Sequence, residues 1–459
     1  MQKHPCPILA PFFWRKGGKA ESINNGCINN FVFPKAVIRK AMAKKLRVGI
    51  LFGGRSGEHE VSLLSAASVL KAIDRRKFEV VPIGINKAGH WLTAGAAQGL
   101  LEGRGPAQLT PGESSEAMPR HEAPKKLRAG DPAATPGARV LAQGQPALLA
   151  PEPAEAPVAA TATALAVAGH AATDSHSALS GQSLDAVFPV LHGTFGEDGT
   201  IQGLFELAGI AYVGAGVLGS SAGMDKDVMK RLFANARLPI VKHVTLLRSE
   251  WEKSPRKAVA QVEAALKYPV FVKPANLGSS VGISKAHNRK ELGPALDLAG
   301  KYDRKLVVEQ GVGIKAKARE FEVAVLGNDD PQASVVGEIV PGKEFYDYEA
   351  KYLCEGSVPV IPARLTRAES KQIREMAVAA FRACDLSGLA RVDFLMEPDG
   401  KRRIFLNEVN TMPGFTRISM YPKLWEASGL KYRDLITRLI ELALERHAEK
   451  SRTVFSREE

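Results

Sequence analysis

The run 46–54, LRVGILFGG, is continuously apolar but for Arg47 and closes on glycines, the pattern of a strand buried on both faces. Apolar residues then recur at helical spacing over 59–73 (Val61, Leu64, Val69, Ile73), and 78–85, FEVVPIGI, reads as a second strand. This β–loop–α–β order predicts a doubly wound α/β domain. Between 95 and 180 the pattern fails. Ala, Gly and Pro supply 38 of the 80 residues in 101–180, and no Phe, Trp or Tyr falls between Trp91 and Phe188. Such a segment cannot bury enough apolar surface to offset its ordering entropy, so a flexible insertion is expected over 95–180.

Order resumes with a strand entering a loop at 183–193, a helix over 198–210 and a short strand at 211–216, AYVGAG. A helix is expected over 224–238. Strands follow at 268–275, 305–312, 319–329 and 333–341, with a Gly/Ser loop running into a strand at 277–286. The stretch 388–410 reads as a hairpin turning at Pro398-Asp399-Gly400, and closing helices are expected near 370–383 and 430–447. The end of the chain is polar.

The 459 residues suggest two to four domains at roughly 100–200 residues each. No apolar stretch reaches the roughly 18–20 residues of a membrane helix, so no membrane partner is expected. Cys6, Cys27, Cys354 and Cys384 lie far apart, without the spacing of a zinc knuckle or a disulfide scaffold, which favours a reducing, cytoplasmic setting. The net charge of +13 raises the question of nucleic acid. Residues 1–47 alone hold ten Lys/Arg against one acid, Glu21, and the other 412 residues hold 52 against 48. The basic surplus is therefore a terminal matter rather than a binding face, and no nucleic-acid partner is expected. The apolar run 8–14 is short and broken by Pro11, unlike a secretory signal. Residues 1–44 read as a disordered tail, or as an upstream start placed ahead of Met42.

Candidate chemistry lies in a few strings. In 276–285, NLGSSVGISK, Gly278 and Gly282 flank Ser279 and Ser280, just after a strand carrying Lys273. Small residues let backbone N–H groups approach phosphate oxygens, although such a loop also serves as an ordinary turn. In the hairpin, Asp393 lies on one strand, with Glu408 and Asn410 two apart on the next, so those two share a face. Two carboxylates and an amide oxygen suit Mg²⁺. The competing reading is a polar face with a cross-strand salt bridge, and Leu406 shares the expected face of Glu408. In 53–62, GGRSGEHEVS, the acids at 58 and 60 around His59 could serve a site or merely complement a helix start. His192 ends a strand before a glycine-rich loop, and 345–352, FYDYEAKY, reads as an ordered loop.

These strings, together with HGTFGEDGTIQGLFELAGIAYVGAGVLGSSAGMDK (192–226) and NEVNTMPGFT (407–416), resemble the D-alanine–D-alanine ligases of the ATP-grasp superfamily. The resemblance runs from about 46 to 445, interrupted by 95–180. It implies an N-terminal α/β domain over 45–214, a central ATP-grasp subdomain over 215–310, a C-terminal ATP-grasp domain over 311–445 and a polar tail over 446–459. It implies that the carboxylate of one D-alanine attacks the γ-phosphate of ATP, and that the amine of a second D-alanine attacks the acyl phosphate, for cell-wall precursor synthesis. A homodimer is expected on the same ground.

Residue by residue, the resemblance assigns Lys226 and Lys273 to phosphate, Ser280 to the nucleotide loop, Glu309 and Glu320 to adenine and ribose, and Lys351 to the γ-phosphate region. Asp393, Glu408 and Asn410 match ligands for two Mg²⁺ (or Mn²⁺) ions. Glu58 matches the carboxylate receiving the first D-alanine's ammonium, with Ser279 and Tyr352 orienting it and His192 lining that site. Arg391 and the N–H of Gly414 match groups facing the tetrahedral oxyanion, and Ser419 a binder of the second carboxylate. Tyr352 within EAKY matches the D-alanine type rather than D-serine or D-lactate ligases. Ala318 stands where the family more often carries a glycine.

Overall fold

The computed structural model describes residues 45–102, 183–313, 317–340, 358–398, 400–416 and 418–456. The 1–44 tail with Met42, the insertion from 103 onward, and Lys351 and Tyr352 of the 345–352 loop lie outside these residues.

The first layer is built from β1 (Leu46–Gly53), α1 (His59–Ala72), β2 (Phe78–Ile85), β3 (Trp91–Thr93), α2 (Ala94–Leu101), β4 (Ala186–Val190) and α3 (Thr200–Leu207). Strands β2, β1 and β4 are parallel neighbours, and β3 pairs antiparallel at the β2 edge. Val48, Ile50 and Phe52 of β1 face one apolar cluster and Leu51 another, so the sheet is covered on both sides and an unbroken apolar run is what it requires. The expected insertion begins later than the composition implies. Residues 94–101 form α2, which seats fully buried Ala97 against the sheet. A short apolar stretch gains helix stability from packing even where its composition reads as breaker-rich. Excising the chain from residue 95 would remove this helix. A variant deleted from 103 to 182 is therefore expected to keep the parent melting temperature, and one deleted from 95 to melt several degrees lower by calorimetry.

The next layer comprises α4 (Val217–Met224), α5 (Lys226–Asn235), β5 (His243–Leu247), α6 (Arg248–Lys253), α7 (Pro255–Ala265), β6 (Val270–Pro274), β7 (Ser284–Ala286), α8 (Arg289–Gly300) and β8 (Lys305–Gln310). Its antiparallel sheet runs β5-β8-β6-β7. Val259, Val262, Leu292 and Leu296 of α7 and α8 pack on Val270, Val272, Leu306 and Val308. The short strand expected at 211–216 reduces to one bridge between Tyr212 and Val187; the chain then turns at Gly214 and Gly216 into α4. Strand β5 and helices α4, α6, α7 and α8 were not anticipated. Two carried signals: proline stands at the first position of α7 after Ser254, and Asn288 caps α8 at Lys290 N.

The last layer contains β9 (Arg319–Gly327), β10 (Gln332–Val340), β11 (Val358–Val360), α9 (Arg367–Ala383), β12 (Gly388–Met396), β13 (Ile404–Asn410), α10 (Met420–Ala427) and α11 (Tyr432–Lys450). The sheet is antiparallel in the order β11-β10-β9-β12-β13. Helix α9 starts earlier than expected because Thr366 and Glu369 form a reciprocal capping box. The 388–410 hairpin forms, with a bulge. Asp393 pairs with Glu408 but Phe394 pairs with Leu406, leaving Asn407 as an extra residue. This corrects the expectation that Leu406 and Glu408 share a face. Leu406 is fully buried in the core, while the bulge turns Glu408 outward.

Candidate active site

Two adjoining clefts meet where these layers converge. The first, about 390 Å³, is lined by Lys273, Glu309, Glu320, Asp393, Asn407 and the 278–280 loop. The second, about 450 Å³, is lined by Glu58, His192, Glu197, Asn410, Gly414 and Ser419. Lys226, Gly278, Ser279, Arg391 and Glu408 line both. The candidate residues from the amino-terminal glycine turn and from the carboxyl-terminal hairpin are thus brought to one place.

Glu58 occupies the cap position of α1, yet its side chain makes no capping bond and lines the second cleft instead. The helix-capping reading of this acid therefore does not describe its position. A Cβ at Gly278 would lie 2.6 Å from Glu58 Oε1, so any side chain there would push this carboxylate aside. Ser279 (φ 50°) and Ser280 (φ 60°) follow in the left-handed region. Such backbone costs about 1–3 kcal/mol per residue, which the surrounding packing must supply. Of the neighbouring pair, His59 is buried with Nδ1 2.7 Å from the Gly54 carbonyl, and Glu60 pairs with Lys87.

His192 lies between the N-terminal layer and the segment after β13. Its Nδ1 is 2.9 Å from the Met412 carbonyl, which can only accept, so Nδ1 carries the proton. Nε2 then accepts from the Ser65 hydroxyl at 3.0 Å, while Ser65 accepts from Phe415 N. Burial lowers the His192 pKa below the usual histidine value, keeping the ring neutral. Glu197, which the sequence reading did not single out, is buried beside it and accepts from Gly193 N at 2.8 Å and Met412 N at 3.3 Å. Burial, reinforced by the charge of Glu58, pushes its carboxyl up to about 8. The signal available was an acid inside a glycine-rich turn, FGEDG.

In the first cleft, Lys226 donates to the Leu277 carbonyl at 2.6 Å. Asp225 caps α5 at Asp227 N and Val228 N and holds Asn276 at 3.0 Å, which ties this lysine to the loop. Glu309 is buried with one oxygen 2.8 Å from Lys273 and the other 3.0 Å from Lys230. Burial opposes its ionisation, but the charges of Lys230 and Lys273 hold its carboxyl down to about 2. Burial likewise disfavours the Lys273 ammonium, and Glu309 and Glu408 more than offset this, raising its pKa. Lys230, fully buried, was missed by the sequence reading.

Arg391 forks onto Asp393, with Nε and Nη2 at 2.8 and 2.7 Å, and lies 3.3 Å from Glu322. Asn410 Oδ1 accepts from Met412 N at 3.2 Å. Among the described residues no cluster of three His, Cys, Asp or Glu is arranged to hold a metal. The Asp393, Glu408 and Asn410 set, whose third member is an amide, offers hard oxygens across the join of the clefts, a donor chemistry that suits a divalent cation. Ser419 stands at the start of α10, Oγ accepting from Thr416 N at 3.0 Å, and a Cβ at Gly414 would be 2.9 Å from that oxygen. A helix N-terminus of this kind favours a carboxylate. Glu320 lines the first cleft.

Comparison with known proteins gives the family. Family models described as the D-ala D-ala ligase N-terminus and C-terminus match residues 47–215 and 232–441. The D-alanine–D-alanine ligase of Natranaerobius thermophilus is 46% identical over 415 residues, spanning 89% of this chain and 98% of the relative. That of Bacillus licheniformis is 47% identical over 408 residues, 88% and 98% of the two chains. Among solved structures, the D-alanine-D-alanine ligase from Coxiella burnetii is 31% identical with a TM-score of 0.63, covering 89% and 96%. The VanG D-Ala:D-Ser ligase from Enterococcus faecalis is 32% identical with a TM-score of 0.65, covering 87% and 100%. The chain belongs to the D-alanine–D-alanine ligase family.

Proposed function

We propose that the two clefts divide the work of one reaction, the ATP-dependent joining of two D-alanines, with the nucleotide in the first and the amino acids in the second. The chain makes D-alanyl-D-alanine for peptidoglycan synthesis. The observation that carries the division of labour is the shared wall: Glu408, Arg391 and the 278–279 loop border both clefts, so a γ-phosphate in one lies against a carboxylate held in the other.

In this reading Lys226 and Lys273 draw the phosphates into place, with Ser280 in the covering loop and Lys351 supplementing them. Glu320 holds the ribose end, and Glu309 acts at the base of the cleft chiefly by keeping Lys273 charged and aimed. Asp393, Glu408 and Asn410 would hold two Mg²⁺ or Mn²⁺ ions, which supply neutralisation of phosphate charge. Glu58 receives the ammonium of the first D-alanine beside His192, with Ser279 and Tyr352 steadying it. The carboxylate oxygen of that D-alanine then bonds to the γ-phosphorus as the γ-phosphorus–oxygen bond to ADP breaks. The second D-alanine, its carboxylate at Ser419 and the start of α10, attacks the acyl carbon through its amine. Arg391 and Gly414 N–H face the oxyanion, and phosphate leaves. The pairing of Arg391 with Asp393 and Glu322 holds the guanidinium rigid for that task.

ATP and free amino acids are soluble metabolites, and no helix among the described residues is long and apolar enough to cross a membrane, which supports a cytoplasmic placement. A homodimer is the state that the family resemblance implies, and exposed Leu207 on α3 and Leu218 on α4 are candidate contacts for the second copy. The purified chain is expected to release phosphate from ATP only when Mg²⁺ and D-alanine are both present, with the dipeptide identified by mass spectrometry. Equal turnover with L-alanine, or none with either, overturns the assignment. Parallel reactions with D-serine and D-lactate read the second-substrate preference directly.

A further inference from the structure

Strand β13 is an edge strand, and its outward backbone groups are gripped by one short helix and the residues after it. Leu406 N donates to the Pro239 carbonyl at 2.8 Å. Lys230 Nζ donates to the Asn407 carbonyl at 3.4 Å, and Val409 N donates to Met229 Sδ at 3.3 Å. Consecutive side chains of α5 thus hold the backbone immediately before and after Glu408, at the bulge that turns this carboxylate into the clefts. Lys230 is fully buried, and a buried ammonium is tolerated only with a partner. That partner is Glu309, whose other oxygen takes Lys273.

We propose that Lys230 is a positioning residue for the metal site: by holding the Asn407 carbonyl it locks the β13 bulge, and through Glu309 it ties the orientation of Glu408 to that of Lys273. This rests on the reading of Glu408 as a metal ligand. A lysine retained only for stability would fill the same volume and pair with Glu309, but its own replacement would leave metal affinity unaffected.

The test measures Mn²⁺ binding to the full-length chain in the presence of ADP, by the electron paramagnetic resonance signal of free Mn²⁺, alongside the melting temperature. Lys230→Met is expected to bind Mn²⁺ about 10- to 100-fold more weakly, the usual range for losing a group that orients a ligand. It is also expected to melt lower, because Glu309 is left with one lysine. Lys230→Met/Glu309→Gln also takes the carboxylate from Lys273, so it is read against Glu309→Gln alone. Its melting temperature is expected at or above that of Glu309→Gln, which strands the buried Lys230 charge, while its Mn²⁺ affinity is expected to be a further factor of about 10 or more lower. This pair carries the reading if Lys230→Met does not fold. Affinity of the double variant equal to that of Glu309→Gln, or parent-level affinity in a folded Lys230→Met, overturns the proposal. Asp393→Asn serves as the control. If the parent chain binds Mn²⁺ no better than Asp393→Asn, the metal-site reading itself fails, which is a distinct result from parent-like binding in the Lys230 variants.

Discussion

Asp393→Asn is expected to reduce turnover by about 10³-fold or more while leaving the melting temperature close to that of the parent. A metal ion on a transferring phosphoryl group contributes several kcal/mol, and about 4 kcal/mol corresponds to three powers of ten in rate. Asparagine keeps the volume and one acceptor oxygen, so the Nε and Nη2 contacts of Arg391 are halved rather than abolished, and Glu322 remains 3.3 Å from the guanidinium. The carboxylate of Asp393 faces Glu408 across the β12–β13 pair, and losing its charge removes one of the two anions opposite the phosphates. Steady-state kinetics against Mg²⁺ concentration, with calorimetry on the same sample, reads both quantities. Unchanged turnover would refute the metal role of this pair of strands.

Glu58→Gln should cost about 10²- to 10³-fold in kcat/KM for D-alanine, because a buried ammonium loses its counter-charge, a change of roughly 3–4 kcal/mol. A second readout is independent of catalysis. Glu197 holds its proton in the folded chain up to about 8, against an ordinary value of 4.5. Between those values the folded state binds more protons than the unfolded one, so this group's contribution to stability is complete below about 4.5 and is lost as pH rises toward 8. Burial is the first cause of the shift and the Glu58 charge the second, and glutamine removes the second. The variant is therefore expected to lose less melting temperature between pH 5 and 8 than the parent. A parallel decline in both chains would show that the two acids do not interact, and parent-like kcat/KM would remove Glu58 from the substrate site.

The chemistry-bearing strings were legible because each is local. The glycine turn at 53–57, the 276–282 loop and the β12–β13 hairpin announce themselves through small residues, alternation and turn chemistry. The side-chain roles inside them were less so. Glu58 reads equally as a helix cap, and only the approach of Gly278 shows that it faces a cleft. The bulge at Asn407 has no signature in FLNEVN, yet it decides that Glu408 leaves the face of Leu406. Lys230 reads as one more polar position on an amphipathic helix, since the carbonyl it holds is 177 residues away. Glu309 reads as a nucleotide contact, and only the fold shows that it also holds two lysines in the wall of the first cleft.

The parallel strands of the first sheet, the β12–β13 hairpin, helices α1, α5, α9 and α11 and the kinds of residue offered to nucleotide and amino acid were determined by the sequence alone, because apolar periodicity and turn residues act over a few positions; β5, α4, α6, α7 and α8 were not. The extent of the ordered α2, the parity of β13 and the protonation of Glu197 and Glu309 were decided by the tertiary structure. Each depends on groups brought together from distant parts of the chain, where burial and neighbouring charge set energies that no local pattern encodes.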